Sequence, residues 1–355
     1  MLGNKSGFGH AWRQTHQIIQ VFHMDKFKIA NIIPQQVNLN QIDDSPGPCC
    51  MSYGFDTTPL VDSISRIGLV NLPILIKKGE GGGEVQFTVV AGYRRIEALK
   101  ALHVERLPCR ILPSETSSLE CLLINLYDNL TVREFNPVET GIALAHLTEL
   151  LPAKEVVKSF MPLFNLPSHL ETLHLFARIE KDFEHQAKGL LATGNLSMKA
   201  AKLLLEMDSA ARKKFCRYFS LIKFSRNQQA QFIDLVSDLS HIENNAISGV
   251  LDDHELTEIR DDKHMNNPQK ARSLINLLRT RRVPRLAKAE KGFRHMVEKL
   301  KLPMGHHITS PPFFEGPHYK LEISFRDGKD LMEKLLILVK KEGLINFEDP
   351  WNKGI

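Results

Sequence analysis

Hydrophobic residues in the first third of the chain follow two different periods, which predicts a mixed α/β domain over residues 26–116. Helical spacing predicts a short helix at 62–68 (DSISRIG) and a second helix after Gly92. Runs of β-branched and aromatic residues predict strands at residues 27–33, 73–78 (PILIKK), 85–90 (VQFTVV) and 106–112 (RLPCRIL). The glycine-rich segment GEGGGE (79–84) predicts a hairpin turn between the two middle strands.

The pattern changes after this region and becomes helical. Leucine-rich amphipathic runs over residues 117–265 are separated by proline and glycine, which predicts several short helices. Near the end of the chain, residues 307–325 predict two strands around Glu315-Gly316-Pro317, and residues 327–341 predict a capped helix.

These patterns predict the α+β fold class, with a small mixed α/β domain, an all-α middle domain and a strand–strand–helix module. The predicted divisions are a flexible extension (1–25), a mixed domain (26–116), a helical domain (117–265), a basic linker or helix (266–304) and a C-terminal module (305–355).

Composition narrows the class of protein without identifying its function. The chain has 355 residues, of which 43% are hydrophobic and 25% charged, as in ordinary globular proteins. It has no apolar run of the ~18 residues that would cross a bilayer, so no membrane partner is expected. The five cysteines form no CxxC pair, which favours reduced thiols and a cytoplasmic location.

The segment TVVAGYRRIEALKAL (88–102) joins a predicted strand to a predicted helix through a glycine. Gly92 has no Cβ, so a ligand can approach the backbone closely at this turn. The helix N-terminus offers free N–H groups and a partial positive charge, and Arg94 and Arg95 add guanidinium groups suited to phosphate. The alternative is that both arginines are solvated residues beside an ordinary strand–helix turn.

A second polar segment, LYDNLTVREFNPVE (126–139), joins two predicted helices. Asp128 and Asn129 are adjacent oxygen donors of the kind that Mg²⁺ accepts while it keeps most of its water. The alternative is a polar corner between helices, in which Asn136 caps a helix that begins at Pro137.

In their order and spacing, three segments resemble the motifs of ParB-type chromosome and plasmid partition proteins. They are SISRIGLVNLPILI (63–76), VVAGYRRIEALKAL (89–102) and LYDNLTVREFNPVE (126–139). More loosely, LLATGNLSMKAAKLLL (190–205) resembles a turn between helices of the family's DNA-binding domain. The strand–strand–helix pattern at the C-terminus is similar to the family's dimerisation domain.

This resemblance implies a partition-type, nucleoid-associated homodimer that binds DNA. It also implies that the N-terminal domain binds CTP with Mg²⁺, closes as a clamp around DNA and slowly hydrolyses the nucleotide. A ParA-type ATPase is the further partner that the family implies. The residues implied are Asn71 near the base or first phosphate, Gly92, Tyr93, Arg94 and Arg95 at the triphosphate, and Asp128 and Asn129 at the metal.

The third motif departs from the family pattern at two positions. Asp128 stands in place of a glutamate, and Val132 in place of an arginine, with Arg133 next to it. A shift of one residue along a helix turns the side chain by about 100°. Nucleotide binding is therefore better supported than turnover.

For DNA, the family implies a helix-turn-helix after the helix that starts at Pro137. The sequence predicts a helix over 153–161, a break at Pro162 and a second helix capped by Ser168, with Glu171 completing a capping box. The candidate DNA-reading residues are Ser168, His169 and Thr172.

Residues 268–301 offer another element for DNA. They carry eleven lysines and arginines against two glutamates, a net charge of +9, whereas the whole chain has +5. Such a stretch can bind phosphates without reading sequence. The candidates are Arg279, Arg281, Arg282 and Arg285. The alternative is an ordinary solvated surface.

Two further classes of function use the same N-terminal pattern. A nucleotide-dependent small-molecule kinase would combine the phosphate site with a carboxylate base, for which Glu97 and Asp128 are candidates. A sulfiredoxin-like reductase needs a cysteine beside the phosphate turn, and the sequence has Tyr93 there and no cysteine nearby. An adaptor that has lost nucleotide turnover but still dimerises is a third alternative.

Overall fold

The computed structural model describes residues 29–78, 86–316 and 318–345. The predicted extension (1–25), the predicted glycine-rich turn (79–84) and Pro317 lie outside the described residues. Contacts divide the chain into two compact units between Gln229 and Ala230.

The first unit contains a four-stranded sheet. Its strands are β1 (Gln35–Asn38), β2 (Ile74–Lys77), β3 (Phe87–Ala91) and β4 (Arg106–Leu112). The strand order is β1-β4-β2-β3, in which β2 runs parallel to β4 and the other neighbours are antiparallel. The three strands predicted after residue 70 are confirmed over their described residues.

The strand predicted at 27–33 is wrong within the described residues. Ile29–Asn31 forms a 3-10 turn, and β1 begins only after Pro34. Ile33 is 81% exposed, whereas Val37 in β1 is 3% exposed. The apolar run at 27–33 therefore does not coincide with β1, because the side chain that enters the core is that of Val37.

Two helices pack together against the sheet. Helix α1 (Thr58–Ile67) starts earlier than predicted, with a proline in its first turn, and α2 (Tyr93–Ala101) follows β3 directly. Their buried Ile64 and Ile96 join Leu75 and Val89 of the strands in one hydrophobic core. This core fixes the β3–α2 turn in place.

The second polar segment lies between helices α3 (Ser118–Leu130) and α4 (Pro137–Leu150). Helix α3 packs against β3. Asn136 is the N-cap of α4, as predicted, and its side chain accepts hydrogen bonds from the N–H groups of Val138 and Glu139. The connection brings the segment back to the β3–α2 turn.

The following stretch is helical but irregular. Ala153–Glu155 is α-helical, Val156–Phe160 forms a π-helical turn and Met161–Phe164 a 3-10 turn. The remaining helices of this unit are α5 (Leu170–Asp182), α6 (His185–Ala192), α7 (Met198–Leu205) and α8 (Ser209–Leu221).

Ser168 was predicted as the N-cap of α5, and this is wrong. The chain stays extended through His169, which occupies the N-cap position without a side-chain hydrogen bond. Because the helix begins one residue later than expected, Glu171 does not stand at the third helical position that a capping box requires.

The second part of the chain is mainly helical and ends in the predicted strand–strand–helix order. Its elements are α9 (Arg226–Ile242), α10 (Ile247–Leu251), α11 (His254–Asp261), α12 (Asn267–Arg282), α13 (Pro284–Leu300), β5 (His306–Thr309), β6 (Lys320–Ile323) and α14 (Gly328–Val339). Strands β5 and β6 pair antiparallel. The α+β fold class is therefore confirmed. Across the described ranges, no helix combines the length and apolarity needed to cross a membrane.

Candidate functional site

The turn between β3 and α2 depends on glycine for two reasons. Gly92 has φ +94°, which side-chain-bearing residues rarely adopt, and a Cβ there would lie 3.2 Å from Cα of Pro73. As the N-cap of α2, Gly92 also offers no side chain to the first N–H groups of the helix. The N-terminus of α2 is therefore open to an anion.

Two arginines converge on one buried carboxylate beside this turn. Nη2 of Arg94 lies 2.5 Å from Oε1 of Glu139, and Nη1 of Arg133 lies 2.5 Å from Oε2. The Glu139 side chain is only 1% exposed. It also accepts hydrogen bonds from the backbone N–H groups of Tyr53 and Asn136. One negative charge thus serves two positive ones, which leaves the cluster with a net charge of +1.

The surroundings of the Arg94 and Arg133 guanidinium groups also favour the binding of an anion. Arg94 lies 4.7 Å from the ring centre of Phe55, and Arg133 lies 4.4 Å from that of Phe135. Burial lowers the pKa of Arg94, as does the charge of Arg133, and Glu139 offsets them only in part. Among the described residues, Nη2 of Arg133 is buried with no hydrogen-bond partner. The cluster therefore still has a donor to offer an anion.

Arg95 points to a different carboxylate. Its Nη2 lies 2.8 Å from Oδ2 of Asp128, and its Nη1 donates to the backbone carbonyl of Leu72 at 3.2 Å. The carbonyl of Asn71 lies 3.4 Å from the same nitrogen. Arg95 thus links α2 to α3 and to the segment before β2.

Asn129 belongs to the Glu139 cluster and not to the Asp128 pair. Its Oδ1 accepts from Nε of Arg133 at 2.8 Å, and its Nδ2 donates to Oδ1 of Asn125 at 2.6 Å. Asn125 is buried and donates to the carbonyls of Cys49 and Val90, both at 2.7 Å. These bonds hold α3 to the end of β3 and fix the position of Asn129.

The structure thus brings the predicted residues of all three motifs to one region, although not in one cluster. Tyr93 packs edge-to-face on Phe55 with ring centres 6.1 Å apart, and burial raises its pKa. Asn71 is exposed and contributes its backbone carbonyl. Asp128 and Asn129 are neighbours on α3, but they contact different arginines.

Sequence reasoning missed Glu139 and undervalued Arg133. Helix α3 ends at Leu130, so Val132 and Arg133 lie beyond the helix whose rotation was expected to turn Arg133 away. Val132 is 68% exposed, whereas the Arg133 side chain is 16% exposed and turned into the cluster. Glu139 was visible in the third motif. Ser52, whose Oγ accepts from Nε of Arg94 at 3.2 Å, had no sequence signal.

The expectation that no cysteine lies near the turn is wrong in three dimensions. Cys50 is close enough for the charges of Arg133 and Arg94 to act on its thiol. Burial nevertheless raises the pKa of Cys50, and this is offset only in part by hydrogen bonds with Ser52 and by the charges of Arg133 and Arg94. A thiol with a raised pKa is a weak nucleophile, so the site still does not favour redox chemistry.

The oxygen donors fit Mg²⁺ only as a partner of phosphate. Asp128 and Asn129 each supply an oxygen, and both oxygens are now bonded to a guanidinium group. Among the described residues, no group of three or more His, Cys, Asp or Glu side chains could hold a metal ion. Mg²⁺ commonly takes one or two protein oxygens together with phosphate and water, which agrees with this donor set.

The candidate carboxylate bases of a kinase are both engaged with cations. Glu97 lies 2.9 Å from Nζ of Lys100, and Asp128 lies 2.8 Å from Arg95. Each of these carboxylates therefore already has a cation as its partner. The site therefore favours anion binding over proton abstraction.

The candidate DNA-contacting residues lie in two separate places. Ser168 and His169 are exposed just before α5, and Thr172 is half-buried in its first turn. In α12, Arg281 lies 2.8 Å from Glu243 and 2.9 Å from Asp253, and Arg282 lies 3.0 Å from Asp238. Arg279 lies on the same helix, and Arg285 is exposed on α13.

Comparison with protein families matches residues 24–130 to the ParB N-terminal domain. None of the curated proteins compared with the chain matches it.

Two solved structures of C-terminally truncated ParB from Caulobacter crescentus are similar. The one complexed with CTP-gamma-S has 15% identity and a TM-score of 0.24, over 53% of this chain and 98% of that chain. The one complexed to the centromeric parS site has 15% identity and a TM-score of 0.32, over 56% and 98%. TM-scores of this size do not show a shared overall arrangement.

The family match spans the sheet, the glycine turn and helix α3, and it ends at Leu130, shortly before Arg133 and Glu139. These are the elements on which the first two motifs and the start of the third lie. Residues 24–130 are therefore similar to the ParB N-terminal domain, which confirms over this part of the chain the resemblance that the sequence motifs predicted.

Proposed function

We propose that the chain is a partition-type DNA-binding protein whose N-terminal domain binds CTP with Mg²⁺ and uses it as a switch for a DNA clamp. The observation that carries the proposal is the convergence of Arg94, Arg95 and Arg133 beside the open N-terminus of α2. Within the described residues, two carboxylates, those of Glu139 and Asp128, pair with these three guanidinium groups.

A triphosphate fits this arrangement better than a single phosphate does. The turn at Gly92 lets one phosphate approach the backbone N–H groups of α2. Arg94, Arg95 and Arg133 come from two elements and would contact further phosphate oxygens, since guanidinium groups bond phosphate in a bidentate manner. Phosphate would then take the place now held by Glu139 and Asp128.

The same exchange couples ligand binding to helix movement. Glu139 stands in the first turn of α4, and its bond to Arg94 of α2 ties the two helices together. A phosphate that takes over Arg94 would release this tie and favour another position of α4. A ligand shifts such an equilibrium by the difference in its affinity for the two positions.

Mg²⁺, when bound, would neutralise part of the phosphate charge. Asp128 and Asn129 are the residues that would hold it, once phosphate has taken Arg95 and Arg133 from them. Slow hydrolysis of CTP and recruitment of a ParA-type ATPase belong to the same proposal, as does association with the nucleoid.

DNA contact is best supported by the exposed cations of α13. Arg285, Lys291 and Arg294 are exposed along this helix, and such residues bind phosphates without reading sequence. Arg281 and Arg282 are held by acidic neighbours in the same unit. The exposed Ser168 and His169 before α5 are the proposed contacts to base edges.

Self-association is supported by an apolar stripe on α14. Met332, Leu335, Leu336 and Val339 recur at helical spacing and are exposed by 38–83%. Exposed apolar residues on one helix face mark a surface that packs against another element. The proposed occupant is the same face of a second copy of the chain, which would give a homodimer.

The test is calorimetric titration of CTP, ATP, GTP and UTP with Mg²⁺ on the wild type, Arg94→Ala and Arg66→Ala. Arg66 is an exposed arginine in α1 and controls for the loss of one charge. We expect CTP-selective binding that is weakened by about 100-fold in Arg94→Ala, since a charged hydrogen-bond partner is lost. Arg66→Ala should bind like the wild type.

Preference for ATP would overturn the proposal in favour of a kinase-type enzyme. Absence of binding to all four nucleotides would leave the arginine cluster as a structural feature of the domain.

A further inference from the structure

A second region of the N-terminal domain encloses a cavity of about 290 Å³. Its walls come from the loop at residues 48–49, strands β2 and β3, the start of α3 and the end of α4. Its volume is at the lower end of the range for small-ligand pockets. The space therefore suits a small organic molecule.

The cavity is separate from the proposed phosphate site along both helices. On α3, Cys121 in the cavity wall lies seven residues before Asp128. On α4, His146 in the cavity wall lies seven residues after Glu139. Seven residues of an α-helix span about 10 Å. A molecule in this cavity therefore occupies a different place from a phosphate bound at the turn of Gly92.

The inner wall of the cavity is apolar. Val89 of β3 and Leu122 of α3 are buried there. Burial raises the pKa of Cys49 to about 12 and that of Cys121 to about 11, so both thiols are uncharged at neutral pH. A buried, uncharged thiol behaves as a small apolar group. The inner wall therefore favours an alkyl chain or an aromatic ring.

The outer wall of the cavity is negatively charged. Glu149 lines it from the last turn of α4 and is exposed, whereas the described lining residues include no lysine or arginine. Within the described residues, Glu149 has no ion-pair partner. The C-terminus of a helix has a partial negative charge, which favours a cation. Because the last turn of α4 contains no basic residue, a cationic ligand would offset both charges.

We propose that this cavity binds a small organic amine, whose apolar body packs on the inner wall and whose ammonium group pairs with Glu149. The half-buried His146 adds an imidazole to the lining, and a neutral imidazole accepts a hydrogen bond. The ammonium group would thus find a carboxylate, a hydrogen-bond acceptor and the negative end of α4. This inference goes beyond the nucleotide switch and stands whether or not CTP binds.

The experiment measures the binding of phenethylamine, a primary amine with an aromatic body, to full-length protein by calorimetry. Phenethyl alcohol is the uncharged control ligand, because it has a hydroxyl in place of the ammonium group. The variants are Glu149→Gln, which removes the charge at an exposed position, and Cys121→Met, which narrows the cavity from inside. Asp62→Asn is the matched control, since Asp62 is an exposed carboxylate of α1 outside the lining. Thermal melting verifies that each variant is folded.

We expect the wild type to bind phenethylamine about tenfold more tightly than phenethyl alcohol. Glu149→Gln should weaken amine binding by about tenfold and leave alcohol binding unchanged, since a charge-assisted hydrogen bond is lost. Cys121→Met should weaken the binding of both ligands, because its side chain fills space that the apolar body needs. Asp62→Asn should leave both affinities unchanged.

Equal affinity of the wild type for the amine and the alcohol would overturn the inference, as would full amine affinity in folded Glu149→Gln. Absence of binding of both ligands to the wild type would also overturn it. Because the titrations contain no nucleotide, failure of the proposed CTP switch would not change their outcome.

Discussion

Arginines are clustered in two regions of this protein, and the two clusters are balanced differently. Beside the turn at Gly92, Arg94 and Arg133 share the single buried carboxylate of Glu139. On α12, Arg281 has two carboxylates to itself, those of Glu243 and Asp253. The first arrangement leaves a positive charge for a ligand, whereas the second leaves none.

This difference separates a binding cluster from a structural one. The arginines of α12 are more numerous in sequence and lie in the most basic stretch of the chain. Nevertheless, acidic residues of the same unit hold Arg281 and Arg282. The number of cations in a segment is therefore a poorer indicator of anion binding than the number of carboxylates that contact each cation.

Removal of the Glu139 carboxylate, which Arg94 and Arg133 share, should have the largest effect on the stability of the protein. We expect Glu139→Gln to lower the free energy of unfolding by about 3 kcal/mol, because two partly buried guanidinium groups lose their counter-charge. Asp253→Asn should cost less than about 1 kcal/mol, because Arg281 keeps Glu243. Urea denaturation followed by circular dichroism measures both.

A further titration sharpens this prediction. Inorganic tripolyphosphate should restore part of the stability lost in Glu139→Gln, since it supplies the missing negative charge. It should not change the stability of Asp253→Asn relative to the wild type. Equal losses in the two variants would contradict the distinction between the clusters.

Substitutions at the neighbouring residues Val132 and Arg133 test which of the two contributes to nucleotide binding. Arg133→Ala should weaken CTP binding by about tenfold, through the loss of a charge-assisted hydrogen bond. Val132→Ala should have no effect, because Val132 is 68% exposed and points away from the cluster. A loss of affinity in Val132→Ala but not in Arg133→Ala would reverse the assignment. Calorimetry with CTP and Mg²⁺ provides the affinities.

The smallest expected effect concerns non-specific DNA binding. Arg285→Ala should reduce the slope of log affinity against log salt concentration by about 0.9, which corresponds to one phosphate contact. Arg281→Ala should leave the slope unchanged, because its charge is already used within the protein. Fluorescence anisotropy on a random duplex at several salt concentrations gives both slopes. A larger change for Arg281→Ala would show that its ion pairs open on DNA.

Much of the fold could be predicted from local patterns. The strands after residue 70, the helix after Gly92 and the N-cap at Asn136 follow from side-chain spacing and capping chemistry. The predictions at residues 27–33 and at Ser168 failed because both depended on where a chain segment meets its neighbours. An apolar residue such as Ile33 does not enter the core merely because it belongs to an apolar run.

The sequence by itself determined the motifs, their order and the use of Gly92 at a turn, because these depend on backbone conformation and short-range spacing. Only the tertiary structure decided which carboxylate each arginine contacts, that Arg133 enters the site and that Cys50 lies close to it. Charge and hydrogen bonding act over a few ångströms in space, and folding brings together residues that are far apart in sequence.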